Sequence, residues 1–119
     1  MKRILSVALL AGLMTSPAMA ADLTGKLKSI AETKTIIIGH RTDSVPFSFV
    51  DTNGEPMGYT IDLCKRVAAG IQQQLKLSKL DVKFVPLTAE NRFKKVAGGG
   101  VDIECGNSSD TISRQKIVD

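Results

Sequence analysis

The segment Thr35–Gly39, with the sequence TIIIG, decides the fold of this chain. It is a β-branched run that ends at a glycine, and such a run is typical of a strand buried on both faces in a parallel sheet. Two more strand patterns follow at residues 81–85 and 101–105, and Pro86 closes the first of them. Helical patterns lie between the strands, which predicts an α/β fold with right-handed crossovers and a mainly parallel sheet flanked by helices.

The longest helical pattern runs from Ile61 to about Leu77, where apolar residues recur on one face, and Thr60 is its predicted N-cap. The glycines at 98–100 are interpreted as a helix stop and a turn, because the Lys-Ser/Thr pair of a phosphate loop does not follow them. The shorter predicted elements are a first helix at 21–33, a strand at 47–50 that enters an Asn53-Gly54 turn, a helix at 91–97 and a last helical turn capped by Asp110.

The first 20 residues have the pattern of a cleavable signal peptide. Lys2 and Arg3 precede the uncharged apolar run Ile4–Met14, and small residues stand at the two positions that a signal peptidase reads. The predicted cleavage lies between Ala20 and Ala21. The apolar run is too short for a bilayer, which takes about 20 residues. Residues 21–119 are therefore expected to be exported and to form one small domain.

Composition excludes several classes of function. The formal net charge is +4, part of which leaves with the signal peptide, and no Lys/Arg block is interleaved with aromatic residues, so nucleic-acid binding is not expected. The single histidine, His40, and the wide spacing of Cys64 and Cys105 match no metal motif, and no metal or other cofactor is expected. In an oxidising compartment the two cysteines either pair as a disulfide or remain two buried thiols.

Each predicted parallel strand is followed by a loop that carries one arginine. Arg41 follows the first strand, Arg92 the second and Arg114 the third, each among small hydroxyl or amide side chains. In open α/β sheets, ligands bind beyond the carboxyl ends of the strands. Arginine holds a carboxylate through two charge-assisted hydrogen bonds. The three loops together predict a site for a small anion with more than one carboxylate.

Motifs along most of the chain resemble those of a known family, and they occur in order with compatible gaps. They are Gly39-His40-Arg41, Ser44-Val45-Pro46-Phe47-Ser48, Gly58-Tyr59, Pro86-Leu87-Thr88, Asn91-Arg92, Glu104-Cys105-Gly106 and Arg114-Gln115-Lys116. The pattern is similar to the amino-terminal lobe of family 3 bacterial extracellular solute-binding proteins, and most similar to the glutamate/aspartate-binding branch. The fold that this implies is a lobe of a type II periplasmic binding protein.

The resemblance also implies roles for individual residues. Arg114 would hold the α-carboxylate of the ligand, while Arg41 and Arg92 would face its side-chain carboxylate. The complete set of implied ligand-binding residues is Arg41, Ser44, Thr88, Arg92, Asn107, Ser109 and Arg114. The chain departs from the family pattern at Asn107-Ser108-Ser109, where serine and threonine are usual, and at Ala89, where a serine is frequent.

The function implied by the resemblance is that of a monomeric periplasmic receptor. It would bind glutamate or aspartate and deliver it to the membrane permease of an ABC importer, without catalysis. An alternative is a dehydratase-type enzyme on the same scaffold, for which Glu90 and Glu104 are the candidate acid or base residues. A third reading is an inactive fragment. Members of the family are longer, so residues 21–119 are expected to be a truncated amino-terminal lobe whose second lobe is absent.

Overall fold

The computed structural model describes residues 22–118. The predicted signal peptide at 1–20 and its cleavage site between Ala20 and Ala21 lie outside the described residues. In chain order the elements are α1 (Gly25–Thr33), β1 (Thr35–His40), β2 (Asp43–Ser44), β3 (Ser48–Val50), β4 (Pro56–Met57), α2 (Tyr59–Gln74), β5 (Asp81–Pro86), α3 (Arg92–Ala97) and β6 (Ile103–Cys105).

The three predicted strands form one parallel sheet in the order β5-β1-β6. In the centre, β1 pairs with β5 from Thr35 opposite Asp81 to His40 opposite Pro86. On its other side, His40 is also opposite Cys105 of β6. The parallel α/β prediction is therefore confirmed. The register brings the last residues of all three strands to one edge, which positions the loops that follow them.

A second sheet, with the antiparallel order β2-β3-β4, was not predicted. Its strands are two or three residues long, and a two-residue strand is too short to show the alternation from which strands are recognised. Gly58 follows β4 with φ 120°, and a Cβ there would lie 2.7 Å from the carbonyl carbon of Phe47. This close approach between two backbones requires glycine at the start of α2.

The core lies between the parallel sheet and α2. Buried apolar residues of α1, β1, α2 and β6 form a single cluster, whose members are Ile30, Ile36, Ile38, Ile61, Cys64, Ala68 and Cys105. A disulfide joins Cys64 to Cys105 and thereby links α2 to the end of β6. Of the two states left open by the sequence, the structure contains the disulfide.

Two predicted caps differ from the structure. The main helix begins at Tyr59, so its N-cap is Gly58 and Thr60 lies inside the first turn. Near the end of the chain, residues 112–117 form successive turns. Thr111, not Asp110, receives the backbone N–H of Arg114, at 3.3 Å. Within residues 22–118, no helix has the length and apolar character that crossing a membrane requires.

Candidate functional site

The loops after β1, β5 and β6 start from the same edge of the parallel sheet. We refer to residues 41–44, 87–92 and 106–114 as the carboxyl rim. The rim contains all seven residues that the resemblance implies as ligand-binding. Its three segments are far apart in sequence, and the parallel pairing of the strands is what brings them to one edge.

Arg41 is held firmly at the start of the first loop. Its backbone N–H donates to Ser48 Oγ at 2.9 Å, and Ser48 is completely buried. Its Nη2 donates to Asp43 Oδ1 at 2.8 Å, in an ion pair whose aspartate is 70% exposed. Its Nε is buried and has no hydrogen-bond partner among the described residues. One nitrogen of the guanidinium thus binds an exposed carboxylate, while the buried Nε has no partner among the described residues.

His40 and Ser44, on either side of this segment, form side-chain hydrogen bonds to adjacent residues. His40 is buried, its Nδ1 lies 3.0 Å from the carbonyl oxygen of Arg41, and its ring meets Phe84 edge-on. His40 therefore forms its hydrogen bond to the adjacent residue. Ser44 donates to Asp43 Oδ1 at a long 3.5 Å.

The second loop is organised by a reciprocal pair of hydrogen bonds. The Thr88 N–H donates to Asn91 Oδ1 at 2.9 Å, and the Asn91 N–H donates to Thr88 Oγ1 at 3.2 Å. These bonds close the turn before α3 and fix Arg92, whose N–H donates to the carbonyl of Thr88. Thr88 therefore supports the turn with its hydroxyl oxygen, and its hydroxyl proton can be donated to a carboxylate.

Two of the three arginines meet the same aromatic ring. The guanidinium carbon of Arg92 lies 4.9 Å from the centroid of the Phe93 ring, and that of Arg114 lies 4.8 Å from it. Both distances are within the range of a cation–π contact. The Nε of Arg92 is buried without a hydrogen-bond partner within residues 22–118. Arg92 and Arg114, which follow different strands, are thus neighbours in space.

The third loop presents Arg114 above a cavity. Arg114 Nη1 donates to the carbonyl oxygen of Ser109 at 2.7 Å. Both residues line a cavity of about 490 Å³, together with Phe93, Glu104 and Ser108. Arg41, Ser44, Thr88, Arg92 and Asn107 are not among the residues that line it. The structure therefore brings Ser109 and Arg114 into the cavity and leaves the other five predicted residues elsewhere on the rim.

Carboxylates are also present near the arginines. The pKa of Glu90 lies below its ordinary value of 4.5, because of a hydrogen bond from its own backbone amide, a second from the Thr88 hydroxyl, and the nearby charges of Arg41 and Arg92. The two hydrogen bonds are the larger causes, and the charges of the two arginines are the smaller ones.

Glu104 lies closer to the cavity. Its Oε1 is buried and has no hydrogen-bond partner in the described part of the chain. A Cβ on Gly106 would overlap this oxygen and come within 3.2 Å of Arg41 Cγ, so a larger residue there would displace the Glu104 carboxylate.

Sequence reasoning missed Phe93 and Ser108, and it considered Glu104 only as a candidate acid or base of the alternative enzyme. Ser108 Oγ is another buried atom without a partner in the described residues. Glu104 had a detectable signal, because side chains alternate along a strand and its neighbour Cys105 faces the core. Phe93 had none, since only the fold brings Arg114 to its ring. Among residues 22–118 no group of three or more His, Cys, Asp or Glu side chains is arranged to hold a metal ion.

Comparison with known proteins defines the class. Residues 36–119 match the model of the bacterial extracellular solute-binding proteins, family 3. The chain therefore belongs to this family.

Among curated relatives, an L-glutamate/L-aspartate-binding protein of Pseudomonas aeruginosa is 44% identical over 98% of this chain and 39% of its own length. A glutamate/aspartate import solute-binding protein of Escherichia coli is 35% identical over 95% of this chain and 37% of its own length. The chain thus spans less than two fifths of these relatives.

Solved structures agree with the fold. A solute receptor for L-cysteine from Neisseria gonorrhoeae has a TM-score of 0.68 at 32% identity, covering 78% of this chain and 36% of the receptor. A reconstructed ancestral amino acid-binding protein, described as a precursor of cyclohexadienyl dehydratase, has a TM-score of 0.67 at 31% identity, covering 78% of this chain and 38% of the ancestor. The architecture is that of part of a type II periplasmic binding protein lobe.

Proposed function

We propose that the full-length protein is the periplasmic substrate-binding component of an ABC importer for an acidic amino acid. The observation that carries the proposal is the convergence of Arg41, Arg92 and Arg114 on one rim. Two of them have a buried Nε without a partner in the described residues. A buried donor left without an acceptor costs about 1–3 kcal/mol, so these groups favour an anionic partner. The P. aeruginosa and E. coli relatives, a glutamate/aspartate-binding protein and a glutamate/aspartate import protein, support glutamate or aspartate as that partner.

In the proposed complex, Arg114 binds the α-carboxylate, the role that the family resemblance implies, and its position beside Ser109 at the cavity is compatible with it. Arg41 and Arg92 bind the side-chain carboxylate, which would give their buried Nε atoms an acceptor. Ser44, Thr88, Asn107 and Ser109 supply hydroxyl, amide or backbone hydrogen bonds around the ligand. Each charge-assisted hydrogen bond to a carboxylate contributes about 1.5–3 kcal/mol.

The proposed location and partner follow from export. The signal peptide at 1–20, cleaved between Ala20 and Ala21, would deliver residues 21–119 to the periplasm, as the amino-terminal lobe. A monomeric receptor there would pass its ligand to the membrane permease. The word "import" in the name of the E. coli relative supports this assignment.

Calorimetric titration of the full-length protein tests the ligand. Glutamate or aspartate should bind at least about a hundredfold more tightly than glutamine, because an amide leaves a buried guanidinium without its carboxylate. Equal affinity for glutamine would refute an acidic amino acid site.

The competing activity is that of a dehydratase-type enzyme, and one observation favours testing it. Glu104 places a carboxylate in the lining of the same cavity as Arg114, and an ancestral relative is named as a precursor of such an enzyme. We propose binding without turnover. Bound glutamate recovered after long incubation should be chemically unchanged by mass spectrometry, and a cyclohexadienyl acid should show no loss of water. Loss of water that disappears in an E104Q variant would establish the enzyme instead.

A further inference from the structure

The Phe93 ring contacts two of the candidate ligand-binding arginines. The guanidinium carbons of Arg92 and Arg114 lie 4.9 Å and 4.8 Å from the centroid of its ring. Phe93 is itself half-buried, and it lines the cavity with Arg114. A ring in this position constrains both guanidiniums at once.

The two arginines differ in what else holds them. Arg114 also donates from Nη1 to the carbonyl of Ser109 at 2.7 Å. The Arg92 side chain makes no hydrogen bond within residues 22–118, and its Nε is buried. A free arginine side chain loses rotamer entropy when it is held in one geometry. The Phe93 ring is therefore the main local restraint on the Arg92 guanidinium.

We propose that Phe93 is a positioning residue that sets the distance between the two carboxylate-binding guanidiniums. This inference rests on the proposed function, in which Arg114 holds the α-carboxylate and Arg92 the side-chain carboxylate. Because one ring fixes both groups, it also fixes the spacing of carboxylates that the site accepts. Phe93 would then contribute to the choice between glutamate and aspartate, which differ in that spacing by one methylene.

The test compares F93L and F93Y with the wild-type full-length protein by calorimetric titration with glutamate and with aspartate. Leucine keeps an apolar side chain without a π face, so F93L should bind the preferred ligand roughly tenfold more weakly. F93L should also bring the two dissociation constants closer together. Tyrosine keeps the π face, so F93Y should restore both the affinity and the ratio.

Phe84 supplies a matched control. Its ring lies 5.8 Å from Lys65 Nζ, contacts His40 edge-on and packs against the core cluster, and none of these contacts is with a rim arginine side chain. An F84L variant should lose stability to urea while its dissociation constants stay within about twofold of the wild type. F93L within twofold of the wild type, or F93Y as weak as F93L, would overturn the positioning role.

An NMR measurement tests the contacts of Phe93 with the two arginines independently of ligand affinity. The ring current of Phe93 should shift the side-chain N–H resonances of Arg92 and Arg114 upfield in the NMR spectrum of the wild-type protein. Ordinary shifts for both arginines would refute the contact even if F93L does not fold. If the wild type binds neither acidic amino acid, the proposed function fails, and the resonance shifts still decide whether Phe93 holds the arginines.

Discussion

Asp102 and Glu104 are carboxylates two residues apart, and their surroundings differ. Asp102 lies just before β6, where its Oδ2 accepts the Ile37 N–H at 2.8 Å and its Oδ1 accepts Lys26 Nζ at 3.0 Å. Glu104 lies in β6 near the carboxyl rim, and its Oε1 is buried without a partner in the described residues. The Asp102 carboxylate therefore connects β1 and α1 through its hydrogen bonds, while Glu104 Oε1 forms no hydrogen bond within the described residues.

The difference extends to the two regions as a whole. The core cluster is apolar and is linked by the disulfide between Cys64 and Cys105. Four buried side-chain atoms lack a hydrogen-bond partner in the described residues. Three belong to the rim, namely Arg41 Nε, Arg92 Nε and Ser108 Oγ, and the fourth, Glu104 Oε1, lies next to it. Buried polar groups in folded proteins are normally hydrogen-bonded. The core therefore accounts for stability, and the rim carries polar groups whose arrangement is explained by binding.

The largest expected effect on stability is loss of the disulfide. The C64A/C105A variant should have a free energy of unfolding lower by about 2–5 kcal/mol, because the unfolded chain is no longer constrained. Urea denaturation of the oxidised proteins measures it. A reductant should lower the stability of the wild type toward that of the variant and leave the variant unchanged. Two alkylatable thiols in the oxidised, exported protein would contradict the bridge.

A smaller effect separates the two carboxylates directly. The D102A variant should lose about 2 kcal/mol, because the Ile37 N–H is left without its acceptor. The matched E104A variant should change stability by less than about 1 kcal/mol, because the removed Oε1 has no hydrogen bond to lose. Urea denaturation of both variants at neutral pH provides the comparison.

The isosteric variant D102N controls for charge. An amide oxygen can still accept the Ile37 N–H, so D102N should recover part of the stability that D102A loses. If E104A were as destabilising as D102A, the inference that Asp102 stabilises the fold and Glu104 does not would be wrong.

The smallest effect concerns pH at the rim. The pKa of Glu90 is lowered in the folded protein by its backbone amide, by Thr88 and by the charges of Arg41 and Arg92. Its ionised form therefore stabilises the fold above the ordinary value of 4.5, and this contribution is lost as pH falls through the lower, folded-state pKa. An E90Q variant lacks the contribution. Its urea midpoint should lie slightly below that of the wild type at neutral pH and converge with it in acid; a constant difference down to the lowest pH would exclude the effect.

Much of the fold could be predicted because its signals are local. The β-branched run at 35–38 and the strand pattern at 81–85 are readable in single windows of sequence. The strands of β2 and β4 were missed because each has two residues and takes its structure from its neighbours. The cap at Thr60 was wrong because the backbone contact between Gly58 and Phe47 starts the helix earlier.

Less of the candidate site than of the fold could be predicted from the sequence. One arginine after each strand is visible in the sequence, and parallel pairing makes their convergence a geometric consequence. The pairing of Arg41 with Asp43 was not anticipated, nor was the shared contact of Arg92 and Arg114 with Phe93. These contacts depend on side-chain directions at the loop ends, which periodicity does not specify.

By itself, the sequence determined the parallel α/β class, the three arginine-bearing loops and the resemblance to the family to which the chain belongs. Those features follow from short-range patterns, since a β-branched run or a motif is complete within a few residues. Only the tertiary structure decided which polar atoms are satisfied, so that Asp102 serves the fold while Glu104 stands at the cavity. The reason is that the partners of Asp102 and the contact of Arg114 with Phe93 come from segments tens of residues away, and packing alone brings them together.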